Sequence, residues 1–283
     1  MRRRDGTGHG AIPDDAVVVS TASFAADEPQ RIVVSNAAFV DALFAEFLTA
    51  EEIAPDALRS YFVQYYLAQM DNGGFAQFVY NSNWDPNVVS KVRDGLRTMG
   101  ARMHQAVFLE GVTTVRQLGQ EALDAFLSRD FWGDNPVRDR LDAVTEQFVK
   151  AGEVEDLAAR NAEWLRAHPN LQILTRDEME AEVARRVVAV PDLPDRLVAA
   201  REQEPRPVKL IRVLCVLAGQ ELEAIAAGDP AHMHEGRATI AWHFTTDKGP
   251  HLMVEADGRT MMFATDDPDQ VLCEISNVES AEQ

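Results

Sequence analysis

Apolar residues recur every three to four positions through roughly the first two-thirds of the chain, a spacing that predicts successive amphipathic helices. Phe39, Leu43, Phe44 and Phe47 mark the first, with Ser35 or Asn36 as the expected N-cap. Leu58, Phe62, Tyr65 and Gln69 mark the second, which opens at Pro55-Asp56. It should close near Asp71-Asn72-Gly73-Gly74, where glycine can adopt the left-handed conformation that ends a helix. Phe75, Phe78 and Val79 restart the period, so this stretch reads as helix, glycine corner, helix, ending at Asn81-Ser82-Asn83. Further stripes follow at Val89, Val92, Leu96 and Met99, at Met103, Ala106 and Val107, and at Val115, Leu118, Leu123 and Phe126. Val137, Leu141, Val144 and Phe148 lie behind Asp134-Asn135-Pro136, a cap followed by proline at the first helical position.

Beyond Lys150 the pattern changes. Residues 153–167 and 177–188 read as charged helices, the proline-punctuated 191–207 as either a short helix or a connection between subdomains, and 208–227 as the most apolar helix of the chain. The period then becomes two. Ile240, Trp242 and Phe244 alternate with Thr239, Ala241 and His243, Asp247-Lys248-Gly249-Pro250 is a turn, and Asp257-Gly258 is a strong hairpin signal before Met261 and Phe263. Residues 271–275 supply a fourth strand. The expected fold is mainly α: a helical bundle with a helical extension and a small C-terminal antiparallel β meander. The expected divisions are a flexible tail at 1–30 with one β-prone run at Val17-Val18-Val19, a helical domain at 31–150, the extension at 151–235 and the meander at 236–283.

Charge changes the picture. The chain carries 46 acidic and 27 basic residues, a formal net charge of −19, which disfavours nucleic acid and anionic membranes and favours basic proteins as partners. Residues 1–110 hold 14 of the acids and 9 of the bases, so most of the excess lies beyond them. Asp139, Asp142 and Glu146 recur at i, i+3 and i+7 and share one helix face, spaced ~4.5 to 6 Å along it, which approaches the reach between phosphates on one DNA strand. Asp177, Glu178, Glu180 and Glu182 form a second dense run. Arg138, Arg140, Arg185 and Arg186 interrupt both groups.

Catalytic chemistry finds no pattern. Asp71, Asn72, Gln77, Asn81 and Asn83 are expected to satisfy backbone groups at the two helix ends beside the corner, with a polar ligand cleft as the alternative. His232-Met233-His234-Glu235, in an expected loop, is the one metal-like cluster, and it lacks helical i, i+4 geometry and a cysteine partner. Cys215 and Cys273 have no close spacing, so no disulfide framework, metal or cofactor is expected. Met1-Arg2-Arg3-Arg4 precedes no apolar run and no stretch is long enough to span a membrane, so a cytoplasmic setting is expected.

Asn72-Gly73-Gly74-Phe75, Gln77, Phe78, Tyr80 and Asn81-Ser82, followed by a helix ending Met99-Gly100-Ala101, resemble the signature of the bacterial DNA-mimic-protein family. The resemblance runs over residues 35–150. It implies a helical domain and a precedent in which acidic surface replaces DNA phosphates and sequesters a DNA-binding regulator; the glycine corner's own chemistry puts Asn72, Gly73, Gly74, Phe75, Gln77, Phe78 and Asn81 in structural roles. The function expected is therefore non-enzymatic: an acidic protein-binding module, in its sharpest form a DNA mimic that holds a basic DNA-binding protein through Asp139, Asp142, Glu146, Asp177, Glu178, Glu180 and Glu182. Two alternatives stand beside it. One is a small-molecule- or metal-binding enzyme using the Asn72/Gln77/Asn81 cleft or the His232/His234 loop. The other is a structural or immunity-type interaction domain whose acidity serves only solubility.

Overall fold

Val17, Val18 and Val19 are wholly buried and form β1 (Val17–Ser20), which leads through a short turn of helix, α1 (Thr21–Phe24), into α2 (Pro29–Ala45). The structure is a computed structural model that describes residues 15–128, 131 and 135–276; the expected tail thus lies partly outside the described residues. Pro29 opens α2, because its fixed φ and missing N–H suit a first helical position. Ser35 and Asn36 are consequently inside the helix rather than at its cap. Both cross-link it: the Ser20 N–H donates to Ser35 Oγ at 2.7 Å, and Asn36 Nδ2 donates to the Ala57 carbonyl at 3.0 Å.

The central helix is α3 (Pro55–Asn81), followed by α4 (Pro86–Thr98), α5 (Arg102–Leu118), α6 (Gln120–Leu127), α7 (Pro136–Gly152) and α8 (Leu157–Arg166). The sequence places α8 at 153–167, but Glu153 closes α7 and the Asp156 carboxylate caps α8 by accepting from the Ala159 N–H. β2 (Leu171–Leu174) then pairs in parallel with β1, from Val17 opposite Leu171 to Ser20 opposite Leu174. This strand is not legible from the local pattern. α9 (Arg176–Val188) and α10 (Leu193–Gln203) complete the helical run.

One core gathers β1, α2, the start of α3 and α8 around Ile32, Leu43, Leu58 and Leu165; a second gathers the rest of α3 with α4 to α7 around Tyr66, Phe75, Phe78 and Phe108. Each large side chain sealed in this way contributes about 1.5–3 kcal/mol. The chain divides into two compact units, the first ending at Leu193 and the second beginning at Pro194.

In the second unit, α11 (Arg206–Ala218) is shorter than the helix expected at 208–227. Gly219 takes φ 67 and ψ 35, the Gln220 N–H reaches back to the Cys215 carbonyl at 2.9 Å, and the helix ends there. The residues beyond form β3 (Leu222–His234), which begins an antiparallel sheet continued by β4 (Arg237–Thr246), β5 (Gly249–Ala256), β6 (Arg259–Ala264) and β7 (Asp267–Ser276), in that spatial order. The meander therefore has one strand more than the pattern predicts. Asp257 and Gly258 both adopt positive φ, 47 and 73, as a two-residue hairpin turn requires. Phe244, Met253 and Met262 cover Ile211, Leu214 and Cys215 of α11, while Ala241, Leu252, Val254, Met261 and Phe263 cluster on the opposite sheet face.

Candidate functional site

The glycine corner fixes the position of α7. Within α3, Gly73 has φ −152 and ψ 17, and Gly74 has φ 75 and ψ −167, a region open to glycine alone. A side chain at Gly74 would place Cβ 2.4 Å from Thr145 Oγ1. That hydroxyl instead accepts the hydrogen bond of the Phe75 N–H at 3.0 Å, satisfying a donor freed by the kink. Phe148, one turn further along α7, meets Tyr66 edge-to-face at 5.7 Å. Gln77 and Asn81 both donate to Gln69 Oε1, at 2.9 and 2.7 Å, and so tie the second arm of the corner to the first. Asn72 is exposed and stands apart from them.

With Leu141, Val144, Phe148 and Ala151 buried on the inner face of α7, the opposite face is turned to solvent. Asp139, Asp142 and Glu146 lie on it within about 60° of one another at ~100° per residue, and all three are exposed. Arg138 bends back, donating to the Phe131 carbonyl at 3.3 Å, and approaches Asp139 only to 3.9 Å. Among the described residues, Asp142 and Glu146 enter no ion pair. Lys150 is exposed in the last turn on this side, and Arg140, also exposed, stands beside Asp139. Gln147 donates to Glu110 Oε1 of α5 at 2.7 Å, adding a carboxylate that sequence spacing could not reveal, because it comes from a different helix.

Residues 51–168 match the family model described as DMP19-like protein. That family is one of DNA-mimic proteins. No curated protein and no solved structure matches the chain. The DMP19-like stretch takes in the corner, α3 to α8 and the acidic row of α7, and leaves β1, α2 and α9 outside.

The second acidic run, which lies beyond the DMP19-like stretch, is largely engaged by its own helix. Glu178 accepts from the Thr175 N–H and hydroxyl at 2.7 and 2.9 Å, and Thr175 Oγ1 accepts from the Glu178 N–H, a capping box that starts α9. Glu182 is buried and accepts from Arg185 Nε and Arg186 Nε at 2.8 and 2.7 Å. Burial pushes its carboxyl up, but the two arginine hydrogen bonds outweigh that and hold it below the ordinary value. Glu180 is paired with Arg176 at 2.9 Å. Only Asp177 of the four is an exposed carboxylate without an ion pair among the described residues.

Other acids are also turned inward. Within the DMP19-like stretch, Glu155 accepts from the Met103 and His104 N–H groups at 3.0 and 3.3 Å and caps α5 from the link between α7 and α8. Asp56 binds His168 at 2.9 Å and also pairs with Arg59; burial raises its carboxyl, and these bonds outweigh it and leave it lowered. His232 and His234 sit on β3 rather than in a loop, and the His234 ring packs 5.5 Å from Phe263. Among the described residues no group of three or more His, Cys, Asp or Glu side chains could hold a metal ion, and no helix is long and apolar enough to cross a membrane.

Proposed function

We propose that the first unit is an acidic protein-binding module that presents the outer face of α7 to a basic, DNA-binding partner in place of DNA. One observation carries the reading: Asp139, Asp142 and Glu146 form an exposed row on a single helix inside the DMP19-like stretch, while Asp56, Glu155 and Asp156 of the same stretch are held in caps and ion pairs. The row spans about 10 Å of helix, the length of a short run of phosphates on one strand. Its rigid anchorage through Thr145 and Phe148 supports it as a recognition surface, because preorganised charges lose little entropy on binding.

The experiment is capture from source-cell extract, identification of the bound protein, and titration of the purified pair. Binding should weaken with added salt, compete with duplex DNA, and fall by about tenfold or more in the variant D139N/D142N/E146Q. A captured protein that does not bind DNA, or an isotherm untouched by all three perturbations, would leave the acidity as a solvation feature and the reading wrong.

A further inference from the structure

A second feature of the first unit is chemically opposite to the acidic row. A cleft of about 400 Å³ opens among α4, α5 and α6, within the size range of small-molecule pockets. Val115 and Leu123, both buried, form its floor with the half-buried Val89. Trp84 is one wall. Its ring packs against Phe75 and Phe78 of the aromatic core at centroid distances of 6.1 and 6.2 Å, and the part left uncovered faces the cleft.

Trp84 is also held in an unusual backbone conformation. Asn83 and Trp84 adopt φ 49 and 47, closing the helix through the Trp84 N–H to the Val79 carbonyl at 3.1 Å. Helix closure asks for glycine or asparagine at such positions, and a bulky side chain there is an outlier. The packing on Phe75 and Phe78 sustains that conformation and keeps the indole between core and cleft.

The exposed rim carries Arg93 and Arg116, and no carboxylate is among the described residues that line the cleft. In a chain of net charge −19 this is a local reversal of sign. Arg116 enters no ion pair among the described residues, and Arg93 approaches Asp94 only to 3.7 Å. A cation would be repelled here, and a bare inorganic anion would leave the apolar floor and indole without a contact. The complementary ligand has a flat apolar body and one anionic head.

We propose that this cleft binds a small aromatic carboxylate, its ring on Trp84 and the apolar floor and its carboxylate on the Arg93 and Arg116 guanidiniums. The assignment is independent of the acidic row, because α7 contributes none of the residues that carry it. The test uses the full chain and a matched pair of probes, 1-naphthylacetate and its uncharged analogue 1-naphthaleneethanol, followed at the tryptophan indole N–H resonances, with Trp84→Phe assigning the relevant signal. Naphthylacetate should shift the Trp84 resonance saturably, and the alcohol should bind about tenfold more weakly or worse. R93Q/R116Q should weaken the carboxylate by a similar factor while leaving the other indole signals in place, since both arginines are exposed. A Trp84 signal unmoved at millimolar naphthylacetate overturns the proposal. So does equal binding of the alcohol, or undiminished binding by the double variant.

Discussion

Replacing Gly74 by alanine tests whether the glycine corner, and through it the placement of α7, rests on backbone geometry. At φ 75 and ψ −167 a non-glycine residue carries strain of about 1–3 kcal/mol. The new Cβ would also lie 2.4 Å from Thr145 Oγ1 and 2.8 Å from its Cγ2, so Thr145 must rotate and give up the bond to the Phe75 N–H. Losing that bond costs a further ~0.5–1.5 kcal/mol. The sum is about 1.5–4.5 kcal/mol, measurable by urea denaturation followed through the helical circular dichroism signal. Thr145→Ala separates the parts. Alone it removes the same hydrogen bond and costs about 1 kcal/mol, whereas in its background Gly74→Ala retains only the conformational strain. The two effects should therefore add to less than their sum, by ~0.5–1.5 kcal/mol. A Gly74→Ala protein within ~0.5 kcal/mol of the parent, or strictly additive costs, would refute the account of the corner.

Phe75→Ala empties a fully buried site between Phe78, Trp84 and Phe108 and should cost about 3–5 kcal/mol in the same assay, whereas an unchanged urea midpoint would mean that the ring is not a core element. Asp56 and Glu182 both have lowered folded-state carboxyls, so each contributes stability that is present above its ordinary value, 3.8 and 4.5 respectively, and lost as pH falls through the lower folded value. The urea midpoint should thus drop on acidification below that range, with a shallower drop in Asp56→Asn; identical acid profiles would remove Asp56 from the explanation. Deleting the chain after Glu235 removes β4 to β7 and uncovers Ile211, Leu214 and Cys215 of α11, so the truncated protein should aggregate, and a soluble, cooperatively folding product would contradict the packing of the second unit.

How much of this was legible in the sequence depended on the range of the interaction. Leu141, Val144 and Phe148 alone specify the buried face of α7, and hence that Asp139, Asp142 and Glu146 point away from it, because helical periodicity is a local property. The corner at Gly73-Gly74 and the hairpin at Asp257-Gly258 were equally local, since each depends on backbone angles that few residues tolerate. Gly219 carried a comparable signal, but the apolar residues on both sides of it masked the change from helix to strand.

What only the tertiary structure decided was which distant groups meet. Leu171–Leu174 becomes a strand because β1 offers it a parallel partner across more than half the chain. The pairs Thr175–Glu178, Arg176–Glu180 and Glu182–Arg186 are three or four residues apart and spacing encodes them, yet only the packing of Arg186 over Phe39 of α2 buries the last of them. Glu155 looks like any surface acid until the N-terminus of α5 is brought against it. A carboxylate's role is set by the donors within hydrogen-bonding reach, and when those donors come from another helix, spacing along the chain does not encode them.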